Sequence, residues 1–568
     1  MNAAIVTFCS LLLLLAGYRF YAKFLSTHIF KTAEDDSPTP AMELEDGVDY
    51  VPTKKYVLFG HHFSSIAGAA PILGPAIAII WGWVPAILWV VLGSIFMGAV
   101  HDYGTLVLSA RKKGQSIGTL TEGIIGHRSK ILFLTIIFLL VFIVIAVFAY
   151  IIATLFVNYP GTVLPINFQI IIALFIGWWA YKKKKGLFVP SIIALILLYA
   201  MIYVGFHYPI HLPQQLWINN SEVLSWIVFL MGYGFIAAVL PVWALLQPRD
   251  YINSHQLLVG LGCIITGIFV AQPMMDAPAF ALEQNAIPWF PFLFITIACG
   301  AISGFHSLVS SGTTAKQLSS MKDTKFIGYG SMIGEAILAV TATIAVAAGF
   351  ENSGAWHAHY SDYGAAKGLG PKLSAFVDGT AGFLNEIGIT QVIYSDNSEP
   401  RQLAAVFIGV MVISFAATSL DTAIRIQRYI IGEIGESLKI RKLSKNRYLQ
   451  TGLAVLFSSL LVISDGSGAG GLKLWPLFGS TNQLLGSLAL LVLSVWLYKK
   501  QLPYWYTLAP MIFITLITFI ATYYNLSNYI ASSNWLLVII SLVIGICQLW
   551  IIFEGLKAFG KTSKSRLL

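Results

Sequence analysis

The sequence predicts an all-α integral membrane protein with about fifteen transmembrane helices, and three observations support this fold class. Only 11% of the 568 residues are charged and 57% are hydrophobic, whereas soluble domains carry about a quarter charged residues. The mean hydropathy is +0.76. Fifteen segments hold the roughly 20 mostly apolar residues that a helix needs to cross a bilayer. Lipid must therefore be the solvent around most of this chain.

The basic residues give these spans an orientation. The predicted spans lie near residues 3–25, 57–80, 84–110, 130–157, 165–182, 187–206, 222–246, 254–273, 290–312, 327–350, 403–430, 449–465, 475–498, 503–523 and 535–557. With the N-terminus outside and the C-terminus cytoplasmic, 31 of the 35 basic residues fall inside, and only Lys367, Lys372, Arg401 and Lys473 fall outside. Cytoplasmic loops are enriched in Lys and Arg. The net charge of +9 therefore reflects topology and anionic lipid, not nucleic acid.

Two loops between the spans are long. The cytoplasmic stretch 26–56 is acidic and is best interpreted as a solvated loop, with a regulatory role as the alternative. The external stretch 351–402 is rich in Gly and Asp. It is either a partly folded lid over the outer mouth or a plain connector.

Three predicted spans contain helix-breaking residues at mid-depth. The second span reads FGHHFSSIAGAAPILGPAIAII, the seventh FLMGYGFIAAVLPVWALLQPRD and the ninth FITIACGAISGFHSLVSSGTT. Proline lacks an N–H and glycine weakens a helix. Unwound backbone is tolerated in a bilayer where it lines a cavity or meets a ligand. The alternative is ordinary kinking and close packing of small residues.

The second and seventh spans form a pair, because they lie five spans apart and run in opposite directions. This predicts two inverted repeats, 57–220 and 221–430, preceded by a first helix and acidic loop (1–56) and followed by a basic loop and C-terminal helices (431–568). Secondary transporters are built in this way and bind solute at the broken helices. The predicted substrate-binding residues are Ser64, Ser65, Gly68, Pro71, Gly232, Gly234 and Pro241.

Ionisable residues inside spanning helices are candidates for function. Those singled out for coupling or gating are His61, His62, Asp102, His306, Glu335, Asp421 and Arg425, with His101 beside them. Asp421 and Arg425 are four residues apart, so they share a helix face and could pair. Three interpretations stay open: an inner gate or proton relay, a metal site formed by histidines and a carboxylate, or structural polar groups near helix ends.

Hydroxyl groups in the ninth span suggest a site for a small cation. Ser310 and Ser311, with Thr313 and Thr314 nearby, could join carbonyls of an unwound second span in an oxygen cage. The alternative is that these hydroxyls bond to their own helix.

Five collinear runs resemble the carbon starvation protein A family. They are DGVDYVPTKKYVLFGHHFSSIAGAAPILGPAIA (46–78), MGYGFIAAVLPVWALLQPRDYI (231–252), FPFLFITIACGAISGFHSLVSSGTT (290–314), GYGSMIGEAI (328–337) and LWPLFGSTNQLLG (474–486). The resemblance implies a bacterial or archaeal cytoplasmic-membrane transporter of the amino acid–polyamine–cation superfamily, with a five-plus-five, LeuT-like core. It implies import of peptides during carbon starvation or of pyruvate. The chain looks shorter than long family members near residues 524–534.

The sequence thus predicts a secondary active transporter that imports a small carboxylate-bearing nutrient by coupling to H⁺ or Na⁺. No cofactor, resident metal or enzymatic activity is expected, and no GxxxxGK[ST] motif for ATP occurs. The alternatives are a membrane-embedded metalloenzyme that uses the histidines, and a nutrient sensor or channel.

Overall fold

The computed structural model describes residues 1–183, 186–282, 287–350, 353–360, 369–388, 398–464 and 466–564. Apolar runs in lipid become helices because a helix satisfies its backbone hydrogen bonds within the segment. The principal helices are α1 (Ala3–Ile29), α2 (Lys55–Ala67), α3 (Ala70–Trp81), α4 (Trp83–Ala110), α5 (Ile117–Ile124), α6 (His127–Asn158), α7 (Val163–Lys183), α8 (Phe188–His207), α9 (Glu222–Val239), α10 (Leu246–Ala271), α11 (Trp289–Thr296), α12 (Gly304–Val309), α13 (Met321–Ala348), α14 (Ser353–His359), α15 (Leu369–Glu386), α16 (Ser398–Ser437), α17 (Arg447–Ile463), α18 (Trp475–Lys499), α19 (Trp505–Ala531) and α20 (Trp535–Lys564).

The predicted all-helical membrane fold is confirmed. In the described part of the chain, 12 helices are long and apolar enough to cross a membrane, and the α2–α3 pair, bent by 42°, makes a thirteenth span. The two remaining predicted spans are also helical. One is divided between α11 and α12, and the other is α17, with 17 residues.

The predicted break in the second span lies at Gly68. Here α2 ends and the backbone takes a positive φ of 45°, which glycine adopts without steric cost. A side chain at this position would also meet the Ser419 hydroxyl at 2.8 Å. Pro71 occupies the first turn of α3, where its missing N–H leaves no hydrogen bond unmade.

The predicted break in the seventh span is wrong. Gly232 and Gly234 lie inside the continuous helix α9, and Pro241 lies in the short connection to α10. A Cβ on Gly234 would come within 2.4 Å of Ile424 Cδ1 on α16. This glycine therefore permits close helix packing, which was the alternative interpretation.

The second break lies in the ninth predicted span, between α11 and α12. Its centre is Gly300, which has a φ of 92°. This break packs against α3: a Cβ on Gly74 would lie 2.6 Å from the Thr296 carbonyl oxygen, and one on Gly300 would lie 3.6 Å from Pro71 Cβ. The second break is thus in contact with the first two turns of α3, directly beyond the first break. The long helices α6 and α16 pack along one another, and α10 packs along α2.

In the stretch 351–402, most of the residues that the structure describes lie in α14, α15 and the start of α16. Helix α15 packs against α3, α10, α13 and α16. The Tyr360 hydroxyl donates to the Ala76 carbonyl oxygen of α3 at 2.8 Å. The described part of this stretch is therefore packed on the helices, and its role as a lid stays a prediction.

The packing of α12 against α18 can be tested at Gly304. A Cβ on Gly304 would lie 2.3 Å from the Asn482 carbonyl oxygen and 2.5 Å from the Gly486 nitrogen of α18. We expect Gly304→Ala to force these helices apart at a cost of about 1–3 kcal/mol. The measurement is the apparent Tm of the purified protein in detergent. Gly262→Ala is the matched control, because Gly262 is an exposed helical glycine with no atom within 4 Å of its added Cβ. Equal losses of Tm in both variants would contradict the assigned packing.

Candidate functional site

A buried chain of ionisable side chains lies behind the second break. Nδ1 of His306, on α12, is 2.8 Å from Asp102 Oδ2 of α4, and its Nε2 is 3.2 Å from Glu335 Oε2 of α13. All three residues are 0% exposed. The Nδ1 contact with Asp102 is a hydrogen bond, whereas His306 Nε2 and Glu335 Oε2 are at ion-pair distance without hydrogen-bond geometry. Three of the predicted coupling residues therefore meet in one cluster.

Glu335 also holds the unwound backbone of the second break. Its Oε1 accepts a hydrogen bond from the Gly300 N–H at 3.0 Å. A buried backbone N–H must find a partner, and here the partner is a side chain of the charged cluster. The conformation of the break and the charge on Glu335 are therefore physically linked.

His101 extends the cluster on the other side. Its Nδ1 is 2.7 Å from Asp102 Oδ1, so Asp102 receives two imidazoles. The Ser310 hydroxyl donates to the Asp102 carbonyl oxygen at 3.4 Å. His101, which the sequence analysis named only beside the coupling residues, therefore belongs to the same site.

His61, His62 and His306, the histidines available to the alternative of a metal site, do not converge on one point. His61 Nδ1 is 2.6 Å from Asp250 Oδ2, and its Nε2 is 3.2 Å from the Thr313 hydroxyl. His62 Nδ1 is 2.8 Å from the Thr314 hydroxyl. Adjacent helical residues point about 100° apart, and these two histidines instead tie α2 to the residues that follow α12. Among the described residues, the metal-ligand atoms that do converge, within 4.8 Å, belong to Cys299, His306 and Glu335.

The predicted pair Asp421–Arg425 is also wrong. Asp421 forms an ion pair with Arg249 and accepts a hydrogen bond from the Tyr233 hydroxyl at 2.8 Å. Arg249 also lies 3.1 Å from Asp250 Oδ1. Arg249, at the start of α10, supplies the cation that pairs with Asp421. The spacing of residues along α16 could not predict this partner. Sequence reasoning placed Arg249 among the topogenic charges and missed Asp250, although both stand in the polar run QPRD beside an apolar span.

Arg425 has a different partner, in the acidic loop 26–56. Its guanidinium donates to Asp49 Oδ1 at 2.9 Å and to the Leu240 carbonyl oxygen, just after α9, at 2.6 Å. Arg428 reaches the same Asp49 oxygen at 3.0 Å. Burial alone would raise the pKa of Asp49, but Arg428, Arg425 and Lys316 hold it well below its ordinary value. The sequence suggested a solvated loop. Asp49 instead anchors this end of the loop to α16.

The two serines predicted to bind a cation make other contacts. The Ser311 hydroxyl donates to the Ser307 carbonyl oxygen at 2.6 Å and accepts from the Ile117 N–H at 3.0 Å. The hydroxyls that meet the first break come instead from α16. Ser419 donates to the Ser65 carbonyl oxygen at 3.0 Å, and Thr422 is 3.2 Å from the Ser65 hydroxyl.

Of the remaining predicted substrate residues, Ser64 faces α10 and donates to the Asp250 carbonyl oxygen at 3.2 Å. A cavity of about 340 Å³ between α3, α11, α18 and α19 extends from the start of α3 to the second break. It touches Ala70 and Gly74 beyond the first break and Cys299 in the second. The residues of α9 and the turn after it do not line this cavity.

Comparisons with known proteins agree over most of the chain. The family model described as "Carbon starvation protein CstA" matches residues 2–356 and 364–521. The chain is 34% identical over 531 residues to the "Peptide transporter CstA" of Mycobacterium tuberculosis, covering 85% of this chain and 70% of that protein. It is 32% identical over 583 residues to the "Pyruvate/proton symporter BtsT" of Escherichia coli, covering 91% and 81%.

A solved structure shares the fold. The Eremococcus coleocola manganese transporter, in complex with an aromatic bis-isothiourea compound, aligns with a TM-score of 0.51 at 12% identity, over 91% of this chain and 99% of that one. At this identity the likeness concerns the fold alone. It is the LeuT-like transporter fold that the sequence predicts.

Proposed function

The chain belongs to the carbon starvation protein CstA family, and on this premise we propose that it is a secondary active transporter that imports a small carboxylate-bearing nutrient. Its relatives are named as peptide and pyruvate transporters, and both kinds of solute carry a carboxylate. We place it in a prokaryotic cytoplasmic membrane with its N-terminus outside, as the basic residues suggest, and we expect no enzymatic activity.

The observation that carries this proposal is the contact of the second break with α3, directly beyond the first break, at a cavity. Unwound backbone inside a bilayer costs several kcal/mol for each bare polar group, so it is retained where it lines a cavity or meets a ligand. The cavity touches α3 beyond Gly68 and the second break at Cys299. We therefore assign solute binding to residues 64–71 and 297–303, and no longer to Gly232, Gly234 and Pro241.

The position of the second break also favours a different division into repeats. The predicted boundaries 57–220 and 221–430 remain a prediction. A second repeat that begins at Trp289 would comprise α11–α12, α13, α16, α17 and α18. The first would comprise α2–α3, α4, α6, α9 and α10, with α7 and α8 as an inserted hairpin, since α9 packs on α6 and α16 while α10 packs on α2.

We propose that the coupling ion is a proton. His306 lies between Asp102 and Glu335, and histidine titrates near neutral pH. Ser311, one of the two residues of the cation prediction, bonds to its own helix and to Ile117, which leaves less support for Na⁺. His61 and His62 tie α2 to α10 and to the residues that follow α12. Asp421 and Arg425 tie α16 to Arg249 and to Asp49. We assign both pairs to gating.

Uptake into proteoliposomes tests this function. We expect labelled pyruvate, or a labelled di- or tripeptide, to accumulate against its gradient when a proton gradient is imposed, and not with a Na⁺ gradient alone. At one proton per solute, a gradient of one pH unit sustains about a tenfold concentration ratio, because 1.4 kcal/mol corresponds to a factor of ten. Protein-free liposomes are the control. Failure of all these solutes to enter under either gradient would refute the proposal.

A metalloenzyme is the second candidate, because Cys299, His306 and Glu335 bring three metal-ligand atoms within 4.8 Å. Thiolate, imidazole and carboxylate are zinc ligands. Metal analysis of protein purified without chelators separates the candidates: stoichiometric bound metal favours the enzyme, and its absence together with uphill uptake favours the transporter. Uphill uptake likewise excludes a sensor or channel.

A further inference from the structure

The end of α19 presents a polar face to the cavity between α3, α11, α18 and α19. Asn525, Asn528 and Tyr529 stand at helix positions i, i+3 and i+4, and Ser532 follows directly after the helix at i+7. Positions with this spacing lie on one side of an α-helix. All four side chains line the cavity. Helix α19 therefore contributes to the candidate binding cavity, although it lies outside both predicted repeats.

The other side of the cavity is mainly apolar. Trp475 and Phe478, at the start of α18, stack with ring centroids 4.7 Å apart, and Phe292 of α11 lies beside them in the lining. In the part of the chain that the structure describes, no Lys, Arg, His, Asp or Glu lines this space. A solute in it has no ion-pair partner, so its polar groups must be satisfied by neutral hydrogen-bonding groups.

Asn525 is the member of this face that is free to bind a solute. It is half-buried, and its side-chain amide makes no hydrogen bond to any residue that the structure describes. It also lines a small chamber of about 10 Å³ with Thr481 and Ser541, whose buried hydroxyls likewise have no partner among the described residues. Asn482 of α18, in contrast, donates to the Ser303 hydroxyl at 3.0 Å and serves helix packing.

The polar face lies between the outer end of the cavity and the second break. The basic turn between α18 and α19 is cytoplasmic in the predicted topology, so Ser532 lies at the outer end, about 10 Å along the helix from Asn525. Phe292 packs on Tyr524 with ring centroids 6.1 Å apart. Asn525 is therefore level with the start of α11, seven residues before Cys299. A solute that enters from outside would pass Asn525 before it reaches the breaks.

The chemistry of the Asn525 side chain selects the group that it can bind. A carboxamide has two N–H donors and one carbonyl acceptor. An amide group of a solute offers the matching acceptor and donor, and two hydrogen bonds then form side by side. A carboxylate offers acceptors only, so it would leave the Asn525 carbonyl oxygen unpaired, which is unfavourable in a half-buried place.

We propose that Asn525 is a specificity-determining residue of the transport pathway and recognises an uncharged amide group of the solute through a pair of hydrogen bonds. This inference rests on the proposed transport function. The Asn525 NH₂ group donates to the solute carbonyl oxygen, and its Oδ1 accepts from the solute N–H. The rings of Trp475 and Phe478 cover the apolar part of the solute. Pyruvate has no N–H and cannot form this pair.

Transport kinetics of Asn525→Leu in proteoliposomes test the proposal. Leucine has nearly the shape of asparagine but neither donates nor accepts. We expect the KM for alanylalanine to rise about tenfold, the loss that two neutral hydrogen bonds typically cause, while kcat and the KM for pyruvate stay unchanged. Asn167→Leu is the matched control, because Asn167 is also half-buried but donates to the Val163 carbonyl oxygen of its own helix at 2.8 Å, and it should behave as wild type.

Protection of a cysteine gives a second measurement that does not depend on the activity of the variant. Asn525→Cys is treated with a membrane-impermeant methanethiosulfonate, and labelling of the native cysteines in the wild-type protein is subtracted. Alanylalanine should slow this labelling severalfold. Tyr523→Cys is the control, since Tyr523 is 68% exposed on another side of α19 and does not line the cavity, and alanylalanine should leave its labelling unchanged.

Three results would each overturn the assignment while leaving transport intact. They are an unchanged KM for alanylalanine in Asn525→Leu, an equal rise of the KM for pyruvate, and no protection of Asn525→Cys. A wild-type protein that carries pyruvate but no peptide would overturn it as well. If the wild-type protein accumulates neither solute, the proposed function fails and this inference fails with it.

Discussion

Asp102→Asn is expected to abolish uphill accumulation of solute while preserving solute exchange. Asparagine has nearly the shape of aspartate, but it removes the negative charge that lies 2.8 Å from His306 Nδ1, one of the two carboxylates that face this imidazole. The inside-to-outside concentration ratio should fall from about ten per pH unit to about one. The measurement pairs gradient-driven uptake with counterflow, which needs no net movement of protons.

Asp35→Asn is the matched control for this variant. Asp35 is a carboxylate of the loop 26–56 and pairs with Arg111 at 2.7 Å, outside the buried cluster. We expect it to accumulate solute as wild type does. An Asp102→Asn protein that still concentrates solute would show that protons are coupled elsewhere.

Arg249→Met is expected to cause the largest loss of stability. Arg249 is 1% exposed and pairs with Asp421 and Asp250, both fully buried. Removing one partner of a buried ion pair costs about 3–5 kcal/mol, because the remaining charge is left uncompensated. The apparent Tm in detergent, or the monodisperse yield, should fall sharply.

A double variant separates charge from packing at this site. Asp421→Asn added to Arg249→Met removes one of the stranded carboxylates, so it should recover part of the lost Tm. Arg441→Met, at an exposed arginine, is the control and should change Tm little. Equal Tm values for the single and double variants would mean that the loss came from packing.

The spans could be predicted from the sequence because a bilayer constrains each segment of the chain by its own composition. A run of about 20 apolar residues is enough to specify a spanning helix. The breaks were only half predictable. Gly234 and Gly300 stand in similar glycine-rich runs, yet Gly234 meets Ile424 in a continuous helix while Gly300 meets Ala339 and Pro71 in a break. What differs is the neighbour across the interface, which composition does not encode.

The residues of the site could likewise be predicted only in part. His306, Asp102 and Glu335 were found one by one because ionisable groups are rare in apolar helices. Their partners were harder to find, since Asp421 binds Arg249 from a distant helix and not the arginine one turn away. Asp49 and Asp250 were missed because charges at span ends and in loops resemble ordinary topogenic residues.

The helix that carries His306 widens into a π-helical turn at Ser310–Thr314, directly where His61 and His62 contact Thr313 and Thr314. Such a turn accommodates one more residue than an α-helical turn. Tightening it would shift the following residues by one position, a rotation of about 100°. Both threonines would then leave the histidines while the backbone stayed helical. Such a change of register would part α2 from the residues that follow α12 without melting any helix.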